Sequence, residues 1–298
     1  MTTAKEKKGA YAIVCLVILF ILAVLFTFPL YWILTGSLKT PIEINSASPT
    51  LWPQEFTLQN YEKLLSSQMN LFEINAFGYT ITGPAIASAL KWLLNTVIMA
   101  VGAMVLTCIT ASMAGYVLAK KRFYGRDFIF GLMVCAMALP KQVILIPLVQ
   151  QMAALHIHDT LLAVIVPIVG WPFGVFLMKQ FSENVPGEVL ESARIDGAGQ
   201  WRTFYQIVYP LIKPGVGALA IFTFISSWND YFMQLIMLNS NTVQTISLGI
   251  AKMQAGPEAN DFGLIMAGAA VAAVPILIVF IAFQKYFTQG ITMGAVKG

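Results

Sequence analysis

Between Gly9 and Leu38 the chain carries no charged residue, and a helix of that length crosses a hydrocarbon core of roughly 30 Å with residues to spare. Lys5, Lys7 and Lys8 stand just before it. A secretory signal peptide has the same order of parts, but its apolar region is only about 7–15 residues long. The longer run, with no A-x-A pattern after it, predicts a retained first span over residues 11–34. Further apolar runs predict spans over 92–119, 128–152, 161–178, 215–238 and 262–283, six in all. Composition agrees: 58% of residues are hydrophobic and 11% charged, where soluble domains carry about a quarter charged.

The segment from Lys39 to about Leu90 has a different texture, with Pro41, Pro49, Pro53, Glu43, Glu55, Glu62 and Glu73. It reads as extramembrane, with a short helical pattern over 58–65. Residues 76–90 are uncharged but hold Gly78, Gly83 and Pro84. They fit either a loop on the bilayer surface or an early start of the next span. Pro140 and Pro147 interrupt the third run, and Pro167, Gly170, Pro172 and Gly174 the fourth. These fit either simple kinks or broken helices whose freed backbone groups meet protein or water.

Lysine and arginine placement orients the chain. With both termini inside, Lys120, Lys121, Arg122, Arg126, Lys179, Arg194, Arg202 and Lys213 are cytoplasmic, while the outside keeps Lys39, Lys63, Lys91 and Lys252. The formal net charge of +4 is spread over loops without exposed aromatics between the basic residues, so nucleic-acid binding is not indicated. Cys15, Cys108 and Cys135 lie in apolar runs without C-x-x-C spacing, which implies neither a disulfide framework nor a zinc site.

One polar stretch, residues 186–214, falls between two strongly apolar runs on the cytoplasmic side. Pro186 suits the first turn of a helix, and Glu188 and Glu191 suit its positive end. Ser192 and Ala193 are small enough to let a partner approach. Gly197 follows Asp196, where a left-handed residue stops a helix. A second helix is expected from Gln200 to Val208, closed by Pro210 and Pro214. The stretch reads as a helix–glycine–helix peg for insertion into another protein.

This peg resembles the EAA loop of ABC-importer permeases, through Glu191-Ser192-Ala193, Asp196-Gly197-Ala198, Ile207 and Pro210. Ser192 replaces a usual alanine, and Tyr209 stands where leucine commonly precedes the proline. The phrase ARIDGA with F-x-x-I-x-x-P-x-x-K-P is similar to the carbohydrate branch, the smaller permease subunit of maltose-type importers. Asn60-Tyr61, Trp228-Asn229-Asp230, Thr245 to Gly249 and the ending Gly290 to Gly298 resemble it in the same order. The resemblance covers nearly the whole chain, least well over 66–91.

The resemblance implies an all-α integral membrane protein with six transmembrane helices, the type I ABC importer (MetI-like) permease fold, and both termini cytoplasmic. It implies an organisation of 1–85 (first span and outer segment), 86–285 (core permease with the coupling loop at 182–214) and 286–298 (cytoplasmic tail). Docking to an ATP-binding subunit would fall to Glu188, Glu191, Ser192, Ala193, Asp196, Gly197, Ala198 and Pro210, as a helix in a groove. The tail residues Gly290, Lys297 and Gly298 would form a second contact. Implied partners are a second, homologous permease subunit, two ATP-binding subunits, an extracytoplasmic solute-binding protein and a carbohydrate substrate. ATP and Mg would sit on the partner subunits, with no cofactor or metal on this chain, in a prokaryotic plasma membrane.

Trp228, Asn229, Asp230 and Lys141 are candidates for the solute pathway, because ionisable groups within spans mark functional positions. The structural alternative is an interhelical hydrogen bond for Asn229 and Asp230. Lys141 has three readings: snorkelling, pairing, or meeting an anionic solute. His156-Ile157-His158-Asp159 lacks a third ligand cluster and reads as a polar loop. Glu258, Asn260 and Asp261 read as a solvated outer loop. No G-x-x-x-x-G-K-[ST] nucleotide loop occurs, and no catalytic constellation is evident. Oligosaccharide uptake is the expected task, with glycerol phosphate, a polyol or a uronate oligomer as other solutes. An ion-driven secondary transporter is the rival from another class, and it predicts charge pairs at the midplane and inverted repeats.

Overall fold

The computed structural model describes residues 2–76 and 79–295. In chain order it holds α1 (Thr2–Gly36), α2 (Pro41–Ile44), α3 (Gln59–Ser66), β1 (Gln68–Asn70), β2 (Glu73–Ala76), β3 (Tyr79–Thr82) and β4 (Ala85–Ala87). Then come α4 (Ser88–Lys120), α5 (Arg126–Met137), a 3-10 turn (Lys141–Ile144), α6 (Leu145–Ala154), α7 (Leu161–Val169), α8 (Pro172–Glu183) and α9 (Gly187–Ile195). The chain ends with α10 (Gln200–Thr203), a π turn (Phe204–Val208), α11 (Tyr209–Asn229), α12 (Tyr231–Met237), a 3-10 turn (Asn241–Val243), α13 (Ile246–Ala255) and α14 (Phe262–Ala295).

Four helical stretches among the described residues are long and apolar enough to span a membrane: Tyr11–Gly36, Ser88–Lys120, Gln200–Asn229 and Phe262–Gln284. Two bent pairs bring the number to six when each counts as one span, α5 with the turn and α6 (101°), and α7 with α8 (41°). Both breaks fall at a proline. Pro140 cannot donate to a helix and disfavours the helical region for Leu139. Trp171, before Pro172, is extended at φ −70°, ψ 128°. Breaks, rather than simple kinks, are what the two proline-rich runs produce.

The chain divides into two compact units, Met1–Gln68 with Ile250–Ala273, and Met69–Gly249 with Val274–Gly298. In the first, none of the most apolar window of α1 is buried, the pattern of a helix whose sides face lipid or another subunit. Its C-terminal end is tied down by polar groups. Asn60 Nδ2 donates to the carbonyls of Ser37 and Lys39, both at 2.9 Å, and the Tyr61 hydroxyl lies 2.8 Å from Ser37 Oγ. Lys39 is buried, with its ammonium on the Thr50 carbonyl and 4.6 Å from the centre of the Trp32 ring.

In the second unit α4 is the central post, against which α7, α8 and α11 pack. Small residues set the closest crossing. A Cβ on Gly115 would lie 2.6 Å from the Lys179 backbone nitrogen, and one on Gly174 would lie 3.2 Å from Ala111 Cβ. Such close approach gains van der Waals contact, the main source of helix association in lipid. Met99, Ala103, Val164, Met237 and Leu248 belong to one apolar cluster, and Ala111, Met178, Val208, Ile212 and Leu219 to another.

Two expectations need correction. Residues before α4 form small ladders: β1 pairs with β4, and β2 with β3 antiparallel, placing Glu73 opposite Thr82. The helix itself starts at Ser88, four residues before Trp92. Second, Pro210 and Pro214 do not close the helix begun at Gln200, which runs 30 residues to Asn229. The π turn explains it: the Tyr209 N–H donates to the Phe204 carbonyl, five residues back. A π turn widens the ladder where the proline ring would otherwise crowd a carbonyl one turn earlier. The helix that carries the fifth apolar run is therefore 200–229, and Asp230 marks its end.

Candidate functional site

The polar stretch 186–214 opens with α9 and its stop. Pro186 occupies the N-cap, and the helix begins at Gly187, with Glu188 in the first turn and Arg194 in the last. Both charges complement the helix dipole. Gly197 has φ 73°, and its N–H donates to the Arg194 carbonyl at 3.0 Å while the Ala198 N–H reaches the Ala193 carbonyl at 2.9 Å. This pair of bonds is a Schellman stop. The chain then re-enters a helix at Gln200.

Glu188, Glu191, Ser192, Asp196 and Gly197 are exposed, and Ala198 is half-buried. Ala193 is buried within the chain, so this small residue serves the peg's own packing and Ser192 alone keeps the open face. Ser192 Oγ donates to the Glu188 carbonyl at 3.0 Å. Pro210 lies in the first turn of α11. Large apolar side chains missed from the sequence stand beside these residues: Ile195 is 86% exposed, Trp201 64% and Tyr205 54%. Their helical spacing is indistinguishable from core spacing until the fold shows which face is open. An apolar hollow of about 250 Å³, lined by Met113, Tyr116, Val117, Gln200, Trp201 and Phe204 among others, adjoins them.

At the other end of the same helix, Asn229 and Asp230 border a cavity of about 560 Å³ with Lys141, Phe222 and Ser226. Lys141 Nζ lies 3.4 Å from Asp230 Oδ2 and 4.9 Å from the centre of the Trp171 ring. Asp230 Oδ1 accepts the Met233 N–H at 3.3 Å, capping α12. Asn229 Nδ2 donates to the Ile225 carbonyl at 2.9 Å. Two helix breaks thus deliver the charged pair, the 101° bend before Lys141 and the junction of α11 with α12. Trp228 is turned away, 1% exposed and 5.4 Å from the Phe224 ring. Trp171, which the sequence did not single out, supplies the aromatic ring instead. A recess of about 40 Å³ carries Trp171 and shares Lys141, Phe222 and Ser226.

Gly290 lies within α14. Lys297 and Gly298 fall outside the described residues. In the loop between α6 and α7, His156 and Asp159 both have positive φ. Asp159 Oδ1 accepts the N–H groups of Asn239 at 2.7 Å and Ser240 at 2.9 Å. Partial burial raises the Asp159 carboxyl's pKa, but the Ser240 hydroxyl, these two amides and the nearby His158 outweigh it and hold it below the usual range.

Three comparisons bear on the assignment. Residues 111–293 match the model of the family described as "Binding-protein-dependent transport system inner membrane component". The arabinooligosaccharides transport system permease protein of Bacillus subtilis is 32% identical over 97% of both chains. The diacetylchitobiose uptake system permease protein of Streptomyces coelicolor is 29% identical over 99% of this chain and 92% of its own. Among solved structures, a bacterial ABC transporter involved in the import of the acidic polysaccharide alginate superposes with a TM-score of 0.79 at 21% identity, covering 94% of this chain and 98% of that one. This chain belongs to the family of binding-protein-dependent transport system inner membrane components, the multi-pass, non-catalytic permease subunits of ABC importers.

Proposed function

We propose that the chain is the permease of an importer for an oligosaccharide, forming one half of a heterodimeric pathway with a second, homologous permease. A solute-binding protein delivers the sugar outside, and two ATP-binding subunits, carrying ATP and Mg, drive transport from the cytoplasm across a prokaryotic inner membrane. The exposed face of α9, with Glu188, Glu191 and Ser192, docks in a groove of one ATP-binding subunit. The relatives whose names specify arabinooligosaccharides and diacetylchitobiose support the choice of solute.

One observation carries the coupling. The 30-residue helix Gln200–Asn229 starts directly after the Gly197 stop and ends beside the Lys141–Asp230 pair. At 1.5 Å per residue it is about 45 Å long, a rigid lever between peg and cavity. Closure of the ATP-binding subunits on α9 moves that lever and switches access between two states.

Proteoliposomes holding the chain with its co-purified partners test this reading. Glu191→Ala with Gly197→Pro is expected to abolish ATP-dependent uptake and to release the ATP-binding subunits. Uptake that persists without ATP and follows an ion gradient would instead establish the secondary transporter, with Asp230 at its centre.

A further inference from the structure

We propose that Lys141, Asp230 and Trp171 form a contact site for an uncharged saccharide, and that the cavity selects against anionic solutes. The inference rests on the permease reading and narrows its substrate class.

The cavity's size is the first argument. About 560 Å³ falls within the range of small-ligand sites, roughly 300–1,000 Å³. Its lining is the second. Phe222 borders the cavity, and Trp171 stands across the adjoining recess, so aromatic faces are available for the C–H face of a sugar ring. Asn229 and Ser226 add polar groups at the same wall.

Charge decides the class. Among the described residues of this lining, Lys141 and Asp230 are the ionisable groups, and they lie 3.4 Å apart. The cavity is therefore electrically neutral. Two opposite charges at that distance attract strongly wherever water is sparse. A carboxylate or phosphate on the solute would have to draw Lys141 away, leaving the Asp230 carboxylate, only 16% exposed, without its counter-charge, which is costly. A sugar hydroxyl makes no such demand. It accepts from the Lys141 ammonium and donates to the Asp230 carboxylate, bridging the pair without separating it. The pair also leaves Lys141 on the Trp171 ring, so a saccharide meets a preformed arrangement.

The complex, purified in lipid nanodiscs with whatever ATP-binding subunits accompany it, is titrated with arabinotriose, maltotriose and trigalacturonate. Tryptophan fluorescence is read as the difference between the native chain and Trp171→Phe. At least one neutral trisaccharide is expected to change the Trp171 signal, and trigalacturonate is not. Asp230→Asn, which can still cap α12, leaves Lys141 unpaired. It is expected to weaken the neutral response about tenfold, the worth of one hydrogen bond to a charged group, and to admit trigalacturonate. Adding Lys141→Gln removes that gain. Trigalacturonate binding as tightly as the neutral probes, silence of Trp171 toward all three, or an unchanged ranking in Asp230→Asn overturns the inference. ATP-binding subunits that remain with the chain in any of those cases leave the permease reading standing. Their absence counts against that reading alone.

Discussion

Asp159 Oδ1 accepts the Ser240 N–H at 2.9 Å across 81 residues of sequence, joining the loop after α6 to the segment after α12. The Asn239 N–H binds the same oxygen at 2.7 Å, and the Ser240 hydroxyl binds the other. A carboxylate serving three donors from a residue at φ 59° is a designed staple rather than a chance surface contact. It also gives Asp159 a structural role in the loop that holds His156 and His158.

The pH dependence follows from the sign of the shift. The Asp159 carboxyl lies below its usual range in the folded chain, so its charged form is the one that folding favours. Its contribution is present above the unfolded value, about 3.9, and is lost as pH falls through the folded value. Asp159→Ala is expected to cost about 1–2 kcal/mol at pH 7, as loss of a side-chain cap does. The loss should shrink below about pH 4. Thermal unfolding of the purified complex at both pH values measures it; an equal loss at both would refute the staple.

Gly197 gives a backbone prediction. At φ 73° a branched side chain is strained by roughly 1–2 kcal/mol, although a Cβ there would meet nothing within 4 Å. Gly197→Val is therefore expected to loosen the end of α9, and Gly197→Asn, which tolerates the left-handed region, to preserve it. Hydrogen exchange over 187–198 distinguishes the two. Equal protection in both variants would show that the Schellman stop does not hold the peg.

These two sites show what a sequence can disclose. Gly197 was legible because glycine is the residue that most readily takes the left-handed conformation of a helix stop, and the peg's position between apolar runs followed from charge. Asp159 was not, since its partners are 80 residues away and a polar loop offers no periodicity. The apolar runs gave the spans but not their true limits at Pro210, because a π turn leaves no trace in residue spacing. Lys141 and Asp230 each stood out as charges in apolar surroundings, but only the fold brought them within 3.4 Å. Trp228 was a candidate for the pathway and Trp171 was not singled out, for a similar reason. An aromatic in a span looks alike in sequence whether it faces a cavity or, as Trp228 does, its own neighbours. Several stretches that resembled the family proved to be packing devices. Thr245–Gly249 is one: the Ile246 N–H donates to Thr96 Oγ1 at 2.8 Å, and a Cβ on Gly249 would lie 2.2 Å from the Trp92 ring.

Gly115 tests the α4–α8 crossing. Any larger side chain there meets the backbone of Met178 and Lys179 at 2.6–2.7 Å, which a rotamer change cannot relieve. Gly115→Leu is expected to cost at least the roughly 1–3 kcal/mol of ordinary overpacking, seen as a lower unfolding temperature. Gly187→Ala, with nothing within 4 Å of the added carbon, is the matched control and should leave the temperature unchanged or slightly raised. A Gly115→Leu protein as stable as the control would mean the two helices do not cross this closely.

If α9 couples to an ATP-binding subunit as proposed, the π turn before Pro210 bears on transmission rather than stability. A π turn holds one residue more than the α-helical turn it replaces, and each α-helical residue advances the helix by about 100°. The peg end of the lever therefore carries a rotation relative to the cavity end that a regular helix would lack. Pro210 protects that offset, because it has no N–H with which to close an α-helical bond to Gln206 and its ring would crowd that carbonyl. Pro210→Ala removes both obstacles and lets the regular ladder close. The chain is expected to remain as stable or to gain stability, since an unfavourable helical residue is gone, while α9 turns out of register with its groove. ATP hydrolysis and uptake measured on the same proteoliposomes should then separate, with uptake per ATP falling several-fold in a complex that still assembles. Pulsed-EPR distances from spin labels at residues 195 and 229 to a fixed label on α4 check the geometry directly. Unchanged distances with unchanged uptake per ATP would show that the π turn accommodates the proline and has no part in transmission.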